Sequence, residues 1–110
     1  MPTVNPKTIS WTNPTTGTDV TGATVPFDAT ADLGGIEIQL DGVGAVSVPV
    51  SLGATSFDLT TLAAYTALTV GSHTVGLAVV SKEGAASDFA PPLTFLAAVK
   101  PAVPTAVALA

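Results

Sequence analysis

The chain contains no cysteine. That excludes disulfide staples and thiolate metal sites, so its 110 residues must rely on a packed core or on partners. Charge is also scarce: 10% of residues are charged, against about 25% in an average soluble chain. Basic residues number only three, Lys7, Lys82 and Lys100, and the net charge is −5. Nucleic-acid binding needs a basic footprint to neutralise phosphates, so that class is excluded. Aromatics make up 5% of the chain, which leaves few rings for stacking on a sugar. No run suits a membrane helix: the most apolar stretch, residues 93–110, is interrupted by Lys100, Pro101 and Pro104. The opening residues lack a basic region followed by an apolar one, so no signal peptide and cytoplasmic synthesis are expected.

What remains is a chain of small apolar and hydroxyl residues, 47% hydrophobic. Its surface must be covered by Thr, Ser, Ala and Gly rather than by Lys and Glu. Such a surface has weak electrostatic protection against self-association. Two readings follow, a domain partly buried in an assembly or an ordinary soluble domain with a neutral, Thr-rich face.

The dominant hydrophobic period is two. Ile36, Ile38 and Leu40 alternate with Glu37, Gln39 and Asp41, and Val46, Val48 and Val50 alternate with Ser47 and Pro49. Phe57 and Leu59, then Val75, Leu77 and Val79, then Leu93 and Phe95 repeat the pattern. Alternation of this kind turns one face of each strand to a core. Asp41-Gly42 reads as a hairpin turn, and turn residues recur at 53–55, 71–72 and 82–84. Short strands with regular turns argue for an antiparallel sandwich. One turn of helix fits residues 62–65. In the N-terminal third, residues 8–12 suit a strand with Ile9 and Trp11 inward, either the first or the second of the fold. Residues 23–27 suit another, with Pro26 at an edge or bulge. Beyond Ala97 neither strand alternation nor a helix cap is evident. Residues 98–110 read as an extended apolar arm, either docked in a neighbour's groove or along a sheet edge, or disordered.

The order of these segments resembles fibronectin type III domains. Ile9-Ser10-Trp11-Thr12-Asn13-Pro14, then Asp19, then Leu33-Gly34-Gly35-Ile36-Glu37-Ile38 is similar to the opening of that family. Residues 55–62 are similar to its fifth strand, 70–80 to its sixth, and 83–89 to the turn into the last. Ile36 stands where the family usually has Tyr, His73 where its corner Tyr is expected, and the segment from Asp19 to Leu33 is longer. The resemblance implies an all-β, antiparallel, seven-stranded immunoglobulin-like (fibronectin type III-like) β-sandwich over residues 1–97, with the arm over 98–110. A short chain of this kind also resembles bacteriophage virion accessory proteins. That implies a non-enzymatic structural protein located in the virion, most of all a capsid decoration protein, partnered by capsid or other virion proteins or by its own copies. The expected contacts are Pro2 and Val4 near the start, Val99, Pro101, Val103, Pro104, Val107 and Leu109 in the arm, and Lys82 and Glu83 on a turn. The alternative is a fibronectin-like module for carbohydrate or cell-surface ligands, for which only Trp11 and Tyr65 offer a stacking ring.

Nothing in the sequence marks a catalytic, cofactor or metal site. His73 is the only histidine and has no cysteine or His-Glu spacing to build on, so a structural hydrogen bond is expected of it. Asp28 with Asp32, and Glu83 with Asp88, share loops but form no Asp-x-Asp-x-Asp-Gly pattern. No Gly-x-Ser-x-Gly elbow and no phosphate loop is present.

Overall fold

Asp41 and Gly42 lie at φ +56° and +70°, the left-handed pair that a two-residue hairpin turn requires. They join β5 (Leu33–Leu40) to β6 (Val43–Pro49), with Leu40 facing Val43. Around this hairpin the computed structural model, which describes residues 3–109, builds a five-stranded sheet. β8 (Gly71–Ser81) pairs antiparallel with β5, and β9 (Leu93–Ala97) pairs antiparallel with β8. β1 (Thr3–Val4) adds to the outer side of β9, giving the order β1-β9-β8-β5-β6.

Two short ribbons complete the strands. β2 (Thr8–Ser10) pairs with β7 (Ser56–Asp58), and β3 (Thr16–Thr18) with β4 (Thr24–Pro26), both antiparallel. The chain is therefore all-β. It departs from the antiparallel, seven-stranded expectation in two ways. The described residues hold nine strands, and β1 runs parallel to β9, with Thr3 opposite Phe95 and Val4 opposite Leu96. A hairpin cannot make a parallel pair; here the whole domain lies between the partners.

The alternating residues meet as the period requires. Ile36, Ile38, Val75, Leu77 and Phe95 are buried on one face of the sheet. Ile9 from β2, Leu59 from a 3-10 turn (Leu59–Thr61), and Leu62 close over them. Trp11, Phe57, Tyr65 and Leu68 pack around this cluster, half-buried. Trp11 falls just after β2, the second strand, and its backbone N–H donates to Thr55 O at 2.9 Å, prolonging the β2–β7 pairing by one bond. The helical turn anticipated near residue 62 is α2 (Ala63–Thr66).

One local device recurs three times. Asp19, Asp28 and Asp58 are each followed two residues later by threonine, and each carboxylate accepts from that threonine's backbone N–H and hydroxyl. Asp28 thereby caps α1 (Ala29–Asp32), and Asp58 caps the 3-10 turn. These bonds, to the threonine hydroxyl first, hold all three carboxyls below their ordinary value.

Candidate docking surfaces

The arm starts from a fixed root. Asn5, at φ +47°, turns its side-chain amide onto Ala98. Nδ2 donates to Ala98 O and Oδ1 accepts from Ala98 N, each at 2.9 Å, and Asn5 N donates to Leu96 O. Beyond this clamp, residues 99–109 form no helix or strand. Val99, Val103, Val107 and Leu109 are 78–102% exposed, and Pro101 and Pro104 are exposed with them. The molecule measures 72 × 26 × 25 Å with a radius of gyration of 17.9 Å. A compact chain of 100 residues would have about 13 Å, so the arm projects away from the body.

The other expected contact residues are placed differently. Pro2 lies outside the described residues. Val4 is not on a free arm: it is the end of β1, bound to β9 through backbone pairing, although its side chain is 53% exposed. Lys82 and Glu83 form the tip after β8. Lys82 N donates to Asp32 O at 2.8 Å and its Nζ lies 3.7 Å from Asp32 Oδ1, so its charge already has a partner. The arm and this tip are separate features.

Two surfaces were not anticipated from the sequence. The first is the open edge of β6, which has no charged residue and exposes Val43 and Val46. Its position depends on strand order, which no local pattern reveals. The second is a groove of about 500 Å³ between the β3–β4 ribbon and β8, lined by Thr16, Thr18, Thr24, Phe27, Val79 and Ser87 among others. It has no ionisable side chain.

The one histidine is built into the frame. His73 Nε2 lies 2.6 Å from Thr69 O and Nδ1 lies 2.7 Å from Asp41 Oδ2. A carbonyl oxygen only accepts, so Nε2 carries a proton, and the carboxylate draws a second proton onto Nδ1. Asp41 Oδ1 also accepts from Thr74 N at 3.1 Å, tying the β5–β6 turn to β8. The Asp41 bond, then the Thr69 bond, raise the His73 pKa above 6.5, while the same contact lowers that of Asp41. A raised folded value means that the contribution to stability is complete below pH 6.5 and is lost as pH rises through the folded value. The depressed aspartates act oppositely: their contribution is present above pH 3.8 and is lost as pH falls through their folded values. With a single histidine, its proton resonances are unambiguous. Their titration midpoint is expected above 6.5 and should fall on Asp41→Asn; an unchanged midpoint would show that the pair does not form.

Among the described residues no three His, Asp or Glu side chains converge on a point that could hold a metal ion. No helix of the described residues is long and apolar enough to cross a membrane. No family model, no curated protein and no solved structure matches the chain.

Proposed function

We propose that the chain is a non-enzymatic structural protein of a virion, a capsid decoration protein that attaches to the assembled particle through its C-terminal arm. The carrying observation is the arm itself: its valines and Leu109 stand in solvent beyond a clamped root. Apolar side chains gain about 25 cal/mol per Å² when they leave water, and a docked arm collects that gain only where a partner exists. Many identical copies on one shell make a small contribution per copy sufficient.

The fold fits this reading as a reduced fibronectin type III-like sandwich. On this reading the five-stranded sheet would be one layer, and the β2–β7 ribbon with its two short helical turns, which brings Ile9, Leu59 and Leu62 to the same core, would be the other. The carbohydrate-module reading finds less support. The Trp11 indole N–H donates to Asn13 Oδ1 and its ring packs on the core, while the Tyr65 hydroxyl donates to Pro6 O and its ring meets Phe95. Neither ring is a free stacking platform.

Deleting residues 99–110, which spares the Asn5–Ala98 clamp, is expected to abolish co-sedimentation with virions of the encoding virus while leaving the circular-dichroism spectrum of the body unchanged. Undiminished co-sedimentation of the truncated chain would refute the arm's role.

A further inference from the structure

The five-stranded sheet has two lateral edges, and they are treated differently. On one side β1 covers β9. On the other, among the described residues, β6 has no partner beyond β5. Every second residue of an edge strand turns its N–H and C=O outward, a template for another strand. Natural edges are commonly blunted by charge, and β6 carries none. Its usable length is limited by a bulge at Gly44 and Ala45, with Gly44 at φ +62°, and by Pro49, which leaves residues 46–48 as a regular edge.

The arm has a segment of matching chemistry, long enough to cover that edge. Residues 105–109 contain no proline and no charge. The arm does alternate, in size rather than polarity: Val99, Val103, Val107 and Leu109 occupy odd positions, and Ala98, Ala102, Ala106 and Ala108 even ones. As a strand it would put Val107 and Leu109 on one face and Ala106 and Ala108 on the other. The β6 edge presents the same division. Val46 and Val48 face the core side, opposite Ile38 and Ile36, and Ser47, opposite Glu37, faces outward. Large residues would extend the apolar face past Val46, and small residues would lie beside small ones.

Charge favours contact between arm and body over contact between bodies. All eight acids precede residue 98, together with Lys7 and Lys82, so the body carries −6; the arm carries +1 through Lys100. The arm's root lies by β9, at the far side of the sheet from β6, and the arm runs away from its own body. Pro101 and Pro104 stiffen the intervening span, and docking straightens one bend, at Ala106 (φ +55°).

We infer that residues 105–109 of one copy add as a strand to the β6 edge of a second copy. This rests on reading the arm as a docking segment and names its acceptor. The contact is heterologous, each copy offering one arm and one edge, so it propagates into chains or closes into rings of copies.

The test uses the full chain in size-exclusion chromatography with light scattering, from low to high micromolar concentration. The parent is expected to show a mass that rises above the monomer with concentration. Val46→Lys, which blocks the edge, and Val107→Asp, which blocks the arm, should each be monomeric. Their equimolar mixture should recover a heterodimer, because one supplies an intact arm and the other an intact edge. If Val46→Lys disturbs the fold by circular dichroism, Ser47→Lys on the exposed outer face replaces it. A parent that stays monomeric, a single variant that associates as the parent does, or a mixture without heterodimer would overturn the inference. Co-sedimentation of the truncated chain reads the arm's role separately: if truncation abolishes attachment while the parent stays monomeric, the docking function stands and the acceptor assigned here does not.

Discussion

Gly34→Ala is expected to destabilise the protein by about 1–3 kcal/mol or more, the range for forcing an atom into a filled site. At Gly34 a Cβ would lie 2.6 Å from Lys82 Cα and 2.7 Å from Ser81 O. These are backbone atoms at the end of β8, pinned by the bond from Lys82 N to Asp32 O, so they cannot step aside as a flexible side chain would. At Gly35 the obstacle is Val48 O on β6, at 2.7 Å, and a comparable loss is expected of Gly35→Ala. The two glycines therefore let β8 and β6 close on the start of β5, where the register shifts between Leu33 and Gly35. Gly17 supplies the control. It has open space where its Cβ would stand and no left-handed backbone, so Gly17→Ala should be neutral or slightly stabilising, by less than about 1 kcal/mol. Urea titration of the three variants checks the contrast; equal midpoints for Gly34→Ala and Gly17→Ala would mean that the close approach is absent.

Leu59→Ala carries the second large effect. Leu59 is 1% exposed and reaches the core from the 3-10 turn, not from the five-stranded sheet. Its backbone N–H donates to Lys7 O, which fixes the 3-10 turn against the segment leading into β2. Truncating a buried leucine costs about 2–5 kcal/mol, increasing with the cavity left behind. A domain of this size is stable by about 5–15 kcal/mol in total, so the variant should be marginal. Thermal unfolding followed by circular dichroism measures it. A loss below about 1 kcal/mol would mean that Leu59 is not packed in the core, since truncating a buried leucine costs at least about 2 kcal/mol.

The features legible in the sequence were those whose cause is local. Asp41-Gly42 demands a left-handed turn whatever surrounds it, and Ile36, Ile38, Val75 and Leu77 fall on alternate positions because they share the face turned to the core. The three aspartate-x-threonine turns were equally local, and the repeated spacing at Asp19, Asp28 and Asp58 would have revealed them. The β1–β9 pairing was hidden because Thr3 and Phe95 are remote in sequence and a two-residue strand has no period. The β3–β4 ribbon was half-hidden: Thr16, Thr18 and Thr24 offer hydroxyls where apolar alternation would signal a strand. His73 was anticipated as a structural hydrogen-bonding residue, but its partner Asp41 sits on a different turn 32 residues away. The open edge of β6 follows from strand order, a property of the whole sheet. The arm's apolar composition was visible at once, whereas its clamp is made by Asn5, whose side chain gives no hint that it reaches Ala98.

A folded β body bearing an undocked apolar arm has a direct signature in amide hydrogen exchange on the dilute full chain. Ile36, Ile38, Leu77 and Ala78, at the centre of the sheet, should exchange slowest, and the non-proline amides of residues 99–109 should exchange at the rate of an unstructured peptide. Slow exchange in the arm of the dilute monomer, or fast exchange at the sheet centre, would contradict it.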